Sequence, residues 1–269
     1  MSVGGPKICT KAKTPVEYGK DVEVVDLRNN QPVAKGHIVS IIVWPNGITI
    51  FLNTGYTIEV KGVKAKVVQM PEVNQAYILL GHPVPFHRGS PDYTPARVAN
   101  YILGGSGFSS RIVKEVRVKH GYAYSTYSYF IGGFGWDESP ITGFLQAGVE
   151  TKLATGNDAV KLIRQLMREA KEKGFTEEEL EAAKSYYRGS IARSAETYRQ
   201  IAGLIITQAD FGLPDLFWIK EIERIQKMSL EEVNSGARFY QPDDLVIAVV
   251  ADTTFKLEGV ERVEYVRWK

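Results

Sequence analysis

The sequence predicts an α+β fold in which a layer of helices packs on a mixed or antiparallel sheet, preceded by a small all-β unit. Short β-branched segments separated by turn residues fill the first part of the 269-residue chain, and amphipathic helical patterns dominate the rest. The helices and strands follow one another in groups instead of alternating singly. We therefore expect a flexible N-terminus and the β-rich unit over residues 1–62, and the α+β domain over residues 63–269.

The β-rich unit is predicted from short apolar segments between Val22 and Val68. The residues before about position 17 contain glycines and lysines without periodicity, which is typical of a loose terminus. The pair Asn46-Gly47 lies between two apolar segments and predicts a hairpin, because both residues tolerate the positive φ of a type I′ turn.

The larger domain begins with an apolar segment over residues 74–81 that predicts a buried strand. A loop rich in Pro, His and Gly follows it. Thr94 and Pro95 then predict the N-cap and the first turn of a helix with one apolar stripe, which ends at Gly104-Gly105.

A second short helix and two strands come next. The helix is predicted to begin near Ser109 or Ser110, to bury its apolar residues and to end at Gly121. Residues 122–130 form an aromatic-rich strand pattern, and residues 144–149 form another beyond a Gly- and Pro-containing turn. We expect these two strands to pair antiparallel.

The last part of the chain is mainly helical. An amphipathic helix is predicted from Asn157 or Asp158 to Gly174, and a final strand over residues 245–251. Two further helices should begin at capping boxes, which are Thr176 with Glu179 and Ser229 with Glu232.

The composition excludes several classes of partner and compartment. The formal net charge of +2, from 33 basic and 31 acidic residues, gives no strong field for nucleic acid or an anionic membrane. Cys9 is the one cysteine, so neither an intramolecular disulfide nor a Cys-based metal site is available, and a reducing compartment fits best. The sequence shows neither a run of about 18 apolar residues nor the apolar stretch of a secretory signal. We expect a cytoplasmic protein that binds neither nucleic acid nor membrane.

The histidines of the chain do not form a zinc-hydrolase motif. None of His37, His82, His87 and His120 lies in a His-x-x-Glu-His pattern or its inverse, which would place two ligands and a carboxylate base on one helix face. For His82 and His87, in the Pro-rich loop, a surface role is favoured over metal binding. We therefore expect no metal and no other cofactor in this chain, and no hydrolysis by the chain alone.

Five segments share their order and spacing with a known protein family. They are Asn74–Gly81, Asp92–Tyr93, Val98–Gly105, Ser109–Arg111 and Val116–Ser125. Together with the helix junction over residues 174–184, they resemble the C-terminal homologous domain of insulinase-like (pitrilysin-type) zinc peptidases. The resemblance extends from about residue 63 to the C-terminus, whereas the first 60 or so residues resemble no family.

The resemblance implies a function for this chain. In that family two similar α+β halves close over a peptide; the first half carries the zinc motif, and the second carries an Arg and a Tyr seven positions apart. Arg117 and Tyr124 stand at that spacing. The implied protein is a non-catalytic, peptide-binding half in which Arg117 and Tyr124 bind substrate and support catalysis, with Gly104, Gly105 and Ser106 as further substrate contacts. The resemblance further implies that zinc is bound by a homologous partner half and that the two halves form a heterodimer. When that half is absent, we expect the chain to associate with itself.

Simpler interpretations of the same residues remain open. Arg117 can complement a helix C-terminus, and Tyr124 can pack on the sheet. The Gly-rich segment 104–107 can be a helix C-cap, and the tyrosines of residues 122–129 can form sheet surface instead of a platform for extended peptides. The whole protein can also be a structural core subunit of a larger assembly without a proteolytic role, or a piece of a longer two-half polypeptide.

Overall fold

A five-stranded sheet is formed by the N-terminal part of the chain. The computed structural model describes residues 65–84, 86, 88–131, 143–260 and 262–267, together with the backbone of five strands between residues 8 and 61. These strands pair antiparallel in chain order, and they are β1 (Ile8–Thr10), β2 (Asp21–Asp26), β3 (Gln31–Trp44), β4 (Gly47–Leu52) and β5 (Thr57–Lys61). The two strands of the predicted hairpin do pair, with Trp44 opposite Gly47, whereas Asn46 of the predicted turn lies outside the described residues.

A six-stranded mixed sheet forms the base of the larger domain, as predicted. Its strands are β6 (Ala65–Gln69), β7 (Gln75–Pro83), β8 (Ala123–Ile131), β9 (Phe144–Lys152), β10 (Val246–Ala251) and β11 (Val263–Arg267). The spatial order is β11-β6-β10-β7-β9-β8. Strand β6 runs parallel to both of its neighbours, and the remaining pairs are antiparallel, including the predicted pair of β8 with β9.

The helices follow the strands in the predicted groups. They are α1 (Tyr93–Asn100), α2 (Gly156–Lys173), α3 (Glu177–Ser194), α4 (Tyr198–Asp210), α5 (Phe217–Lys227) and α6 (Leu230–Ala237). Helix α1 continues into a π-helical segment, Tyr101–Gly105, and a second π-helical segment, Val113–Lys119, forms most of the second predicted helix. In the part of the chain that the structure describes, no helix is long and apolar enough to cross a membrane.

The core lies between the helices and one face of the six-stranded sheet. Alternate residues of β7, among them Ile78 and Leu80, are fully buried, and so are Leu103, Ile163 and Met167 of the helices. Each such side chain contributes roughly 1.5–3 kcal/mol of burial free energy. The α+β layer architecture that the sequence predicts is confirmed.

The predicted helix boundaries agree closely with the structure. Helix α2 begins at Gly156, one residue before the predicted start, and is followed by Gly174 with φ 71°. In both predicted capping boxes the hydroxyl accepts from the backbone N–H three residues later, while the glutamate accepts from the backbone N–H of the capping residue. The first N–H groups of a helix have no partner within the helix, and the side chains of a capping box accept hydrogen bonds from them. The sequence pattern therefore predicts where the helix begins.

The predicted N-cap role of Thr94 is wrong. Helix α1 begins at Tyr93, and Asp92 stands at the N-cap position without a side-chain hydrogen bond to the helix. The Thr94 hydroxyl is buried and donates instead to Glu221 Oε1 of α5, at 2.8 Å. A buried carboxylate needs hydrogen-bond donors, and this tertiary contact outcompetes the local cap.

The predicted surface position of His82 is also wrong. Strand β7 continues past Gly81 to Pro83, which turns the His82 ring into the core, where it is fully buried. Nδ1 lies 2.9 Å from the Pro83 carbonyl oxygen, and Nε2 accepts from the backbone N–H of Gln241 at 3.3 Å. Burial lowers the pKa of His82, so the ring is a neutral core residue. His87 lies outside the described residues.

Candidate functional site

Arg117 and Tyr124 lie together in the structure, and Phe108 lies against the same guanidinium. The Arg117 guanidinium carbon lies 4.7 Å from the centre of the Tyr124 ring and 4.6 Å from the centre of the Phe108 ring. Cation–π contacts of this kind contribute about 0.5–1 kcal/mol each at exposed positions. The two rings therefore hold the guanidinium in a preferred position on the surface. We call these three residues the arginine clamp.

A β-bulge places Tyr124 in the arginine clamp. On β8, Ala123 pairs with Thr151 of β9 and Ser125 pairs with Glu150, so Tyr124 is one extra residue with no partner on β9. The neighbouring side chains of Tyr124 and Ser125 are consequently both exposed, whereas regular alternation would bury one of them. The Tyr124 ring, 81% exposed, is directed away from the core to Arg117.

A π-helical segment and a tight turn position Arg117. The wider helix of Val113–Lys119 ends with the His120 N–H donating to the Glu115 carbonyl, and the Tyr122 N–H donates to the Val116 carbonyl. Gly121, with φ 63°, allows the chain to turn directly into β8, because this backbone conformation is unfavourable for residues with a Cβ. The chain therefore folds back on itself between Arg117 and Tyr124, and this brings their two side chains into contact.

The polar groups of the arginine clamp are available to a ligand. No carboxylate among the described residues pairs with Arg117, and no described residue hydrogen-bonds the Tyr124 hydroxyl. The nearby Lys119, by contrast, pairs with Glu115 at 3.0 Å. The guanidinium carries five N–H donors, and none of them is used in an ion pair within the described part of the chain. The clamp thus offers several donors that suit carbonyl or carboxylate oxygens.

The Gly-rich segment lies next to the arginine clamp but its residues differ in exposure. Gly104 is buried, and a Cβ on it would meet Ser128 Oγ at 2.3 Å and the Ser128 backbone N at 2.8 Å. Close packing therefore accounts for Gly104 without a ligand. Gly105 is exposed and Ser106 half-buried, and Ser109 Oγ lies 3.0 Å from Ser106 Oγ. The positive φ expected of a C-cap glycine occurs at Gly107. Substrate contacts of this segment remain a prediction.

Phe108 is the clamp residue that sequence reasoning did not single out. It is exposed, and it lies in a short 3₁₀ turn, Gly107–Ser109, between the two π-helical segments. The sequence did offer one signal, because Phe108 is the one large aromatic residue in a segment of glycines and serines. An exposed aromatic side chain in such a polar segment can mark a binding surface.

A row of tyrosines continues from the clamp over the open face of the sheet. The hydroxyls of Tyr77 on β7 and Tyr127 on β8 lie 3.0 Å apart, and the rings of Tyr127 and Tyr129 lie 4.7 Å apart. Burial, followed by the hydrogen bond with Tyr77, raises the pKa of Tyr127 to about 12, so this hydroxyl keeps its proton at neutral pH. The row forms an aromatic surface with polar tips, which suits an extended peptide.

Arg111 joins the clamp region to the start of α3. Its Nε and Nη2 donate to the two carboxylate oxygens of Glu179 at 2.7 and 2.6 Å, and Nη2 also donates to the Gly174 carbonyl at 3.0 Å. The guanidinium further stacks on Phe175, at 4.7 Å from the ring centre. Burial raises the pKa of Glu179, but hydrogen bonds from Arg111 and Thr176 outweigh it, so the net shift is downward.

We expect Arg111→Ala to lower the free energy of unfolding by about 2 kcal/mol, because it removes charge-assisted hydrogen bonds from a partly buried carboxylate. Since the pKa of Glu179 is lower in the folded state, this contribution is full above its unfolded pKa and is lost as the pH falls through its folded pKa. Urea unfolding at pH 7 and pH 3 measures both effects.

The control for this prediction is Arg111→Lys, which keeps the charge but cannot make the paired bonds and should give an intermediate loss. Equal stability of the wild-type protein and Arg111→Ala at pH 7, or a difference that does not shrink at pH 3, would contradict the prediction.

Metal ligation is not supported by the described residues. Over residues 65–267, apart from the gaps noted above, no group of three or more His, Cys, Asp or Glu side chains converges on a possible metal position. The Arg117 side chain can bind and polarise a carbonyl oxygen through its N–H donors.

Sequence comparisons relate the chain to the inactive domain of M16 peptidases. The sequence model of the peptidase M16 inactive domain matches residues 46–187. The non-peptidase homolog YmxG of Helicobacter pylori is 32% identical over 195 residues, which are 72% of this chain and 44% of that protein. The uncharacterized zinc protease YmxG of Bacillus subtilis is 28% identical over 192 residues, 69% of this chain and 44% of that protein. The chain thus spans less than half the length of these relatives.

Solved structures share the fold. The crystal structure of a peptidase M16 inactive domain from Pseudomonas fluorescens is 25% identical, with a TM-score of 0.61, and the match covers 74% of this chain and 46% of that one. The crystal structure of a protease from Helicobacter pylori is 20% identical, with a TM-score of 0.59 and coverage of 74% and 47%.

Proposed function

The chain belongs to the peptidase M16 family and matches its inactive domain, and from this membership we propose that it is a non-catalytic, peptide-binding half that completes the substrate chamber of a homologous zinc-bearing half. The partner supplies the metal and the catalytic base. This chain supplies hydrogen-bond donors and an aromatic surface for the peptide.

The observation that carries the proposal is the arginine clamp. The Arg117 guanidinium carbon lies 4.6 Å from the centre of the Phe108 ring and 4.7 Å from the centre of the Tyr124 ring, and both rings are exposed. Donors held in a fixed position stabilise negative charge that develops on a carbonyl oxygen, without reorganising during the reaction. In a chamber closed by the partner, exclusion of water strengthens this interaction.

The chemistry assigned to this chain is limited to binding and charge stabilisation. Zinc in the partner half would activate the water that attacks the peptide bond. Arg117 would donate to a substrate carbonyl or C-terminal carboxylate, and Tyr124 would donate to a neighbouring backbone oxygen. The tyrosine row over Tyr77, Tyr127 and Tyr129 would accommodate the extended chain on either side.

A structural core subunit is the alternative function. A scaffold subunit would need the fold, but its role would not require hydrogen-bond donors that face a substrate chamber. The contact of the Arg117 guanidinium with two exposed rings, one of them on the bulge residue Tyr124, therefore supports the peptide-binding half over the scaffold.

The experiment is reconstitution with a homologous chain from the same cell that carries an intact His-x-x-Glu-His motif. A fluorogenic peptide library is incubated with each chain alone and with both. We expect negligible hydrolysis by either chain alone and hydrolysis by the equimolar mixture. Zinc content after dialysis against a weak chelator is measured in parallel.

Two outcomes would contradict the proposal. One is hydrolysis by this chain alone together with one tightly held zinc ion per chain. The other is a zinc-bearing half whose activity is the same with and without this chain over a full titration.

A further inference from the structure

Arg193, in the last turn of α3, folds back along the helix surface. Its guanidinium lies over Gly189, where a Cβ would meet Nη1 at 3.0 Å and Cζ at 3.9 Å. Helical side chains lean toward the N-terminus, and the glycine leaves the space that this guanidinium occupies. The guanidinium carbon lies 5.6 Å from the centre of the Tyr186 ring. Arg193 is therefore directed to Tyr186 and away from the last carbonyl groups of α3.

Tyr186 connects this guanidinium to the Gly-rich segment. Its ring stacks on the Tyr101 ring, with 4.4 Å between the two centres. Burial, followed by Tyr186, raises the pKa of Tyr101 to about 12, although Arg193 and the hydroxyls of Ser106 and Ser109 oppose this shift. The Ser109 hydroxyl donates to the Ser106 carbonyl at 3.1 Å, so its proton is used within the turn. Tyr101 and Ser106 each keep a hydroxyl proton at neutral pH.

The positive charge of Arg193 is not compensated by a carboxylate in the part of the chain that the structure describes. On the face of α3 that carries Tyr186 and Arg193, the Glu179 carboxylate is already bound by Arg111 at 2.6 Å. Glu196, three positions after Arg193, is exposed and forms no ion pair with it. An exposed guanidinium beside hydroxyl donors can bind a carboxylate through paired N–H groups.

The turn between the two π-helical segments joins this surface to the arginine clamp. Phe108 stands between Ser106 and Ser109 in the chain, and its ring lies against Arg117. The flanking serines instead lie near the Tyr101 hydroxyl. An extended peptide advances about 3.3 Å per residue. A peptide bound at the clamp therefore reaches the other side of this turn within a few residues.

We propose that Arg193, Tyr186, Tyr101 and Ser106 form a second site, which binds a carboxylate of the peptide held at the arginine clamp. The guanidinium donates to the carboxylate oxygens, the two hydroxyls add donors, and the Tyr186 ring packs beside the carbon stem. The single positive charge suits a carboxylate better than a phosphate group, which carries nearly two negative charges. This inference rests on the proposed function, and it narrows the substrate to peptides with an acidic side chain or a free C-terminus near the clamp.

Binding of labelled peptides to the isolated chain tests the second site without catalysis. The probes are fluorescent peptides of one uncharged sequence with an amidated C-terminus, and one glutamate is moved through successive positions. A matched probe carries glutamine instead, and another carries glutamine with a free C-terminus. We expect a carboxylate probe to bind about tenfold more tightly than the amidated glutamine probe, as for a charge-assisted hydrogen bond. The advantage should shrink at about 0.5 M salt, because the site is exposed.

The probe that binds more tightly identifies the source of the carboxylate. An advantage of a glutamate probe assigns the site to an acidic side chain, and its position gives the distance from the clamp. An advantage of the probe with the free C-terminus assigns the site to the end of the peptide. Both results support the second site, and fluorescence anisotropy measures the dissociation constants.

Substitutions assign the advantage to Arg193. Arg193→Gln should abolish it and leave the affinity for the glutamine probe unchanged. Gly189→Ala keeps the charge but displaces the guanidinium, so it should reduce the advantage although alanine favours the helix. The matched control is Arg188→Gln on the same helix, where the guanidinium is bound to Gln226. Arg117→Ala should weaken all probes and preserve the advantage. Circular dichroism checks that each variant folds.

The proposal is overturned if no carboxylate probe binds more tightly than the glutamine probe, or if Arg193→Gln retains the advantage. Loss of the advantage in Arg188→Gln would also overturn it, because the general charge of α3 would then account for the effect.

The same peptides, given to the reconstituted enzyme, separate this inference from the proposed function. Hydrolysis that does not discriminate between the glutamate, glutamine and free C-terminal peptides refutes the second site and leaves the proposed function standing. Carboxylate binding that depends on Arg193, in a chain that activates no zinc-bearing half, supports the second site and refutes the proposed function.

Discussion

Arg117→Ala should lower kcat of the reconstituted enzyme by about 10²–10³-fold, because removing one donor aimed at developing negative charge typically costs that much. The effect should fall on kcat more than on KM, since the interaction strengthens only as charge develops on the carbonyl oxygen. Tyr124→Phe should also lower kcat, since it removes the hydroxyl while it keeps the ring against Arg117. Phe108→Leu should lower kcat less, by loosening the position of the guanidinium.

The control is Lys119→Ala, which removes an exposed cation from the same helical segment and leaves the clamp intact. If Arg117 only complemented the helix terminus, Arg117→Ala would reduce stability by about 0.3–1 kcal/mol and leave kcat near its original value. Peptide turnover and thermal unfolding of the four variants separate these accounts. Unchanged turnover with a lowered thermal midpoint would defeat the role in catalysis.

Gly236→Ala should reduce the free energy of unfolding by about 3 kcal/mol, the upper part of the range for overpacked cores. A Cβ on Gly236 would lie 2.4 Å from the carbonyl carbon and oxygen of Pro95 and 2.5 Å from the Ala96 nitrogen. These are backbone atoms of α1, so no side chain can move aside and α6 must shift as a whole. Urea unfolding, monitored by circular dichroism, measures the loss.

The chain offers a matched control in another helical glycine. A Cβ on Gly203 of α4 would meet nothing within 4 Å, so Gly203→Ala should raise stability by about 0.5–1 kcal/mol through helix propensity alone. A Gly236→Ala variant as stable as the wild type would show that α1 and α6 do not pack as closely as described.

Local sequence signals predicted most of the fold. The capping boxes at Thr176 and Ser229 and the apolar alternation of β7 set the elements correctly, because they depend only on neighbouring residues. The errors at Thr94 and His82 have a different origin. Each side chain found a partner distant in the chain, Glu221 and Gln241 respectively, and no local pattern encodes such contacts.

The candidate site was predictable only in part. The family resemblance, through the spacing of Arg117 and Tyr124, predicted these two residues as the site. The structure does bring their side chains together. Their contact depends on a bulge and on π-helical geometry, and the residues that adopt them, such as Tyr124, Ser125 and Val113, carry no distinctive sequence signal. Phe108 was missed because its role exists only once the chain has turned back at Gly121.

The bulge on β8 makes the geometry of the clamp depend on the number of residues in the strand. Without Ser125, Tyr124 would pair with Glu150 in regular alternation, while Thr126 and Ser128 would keep their buried positions and Tyr127 and Tyr129 their open ones. A one-residue deletion would therefore preserve the core and separate the tyrosine ring from Arg117. Among relatives of this fold, strand length at this point should distinguish chains that retain the clamp from chains that have lost it.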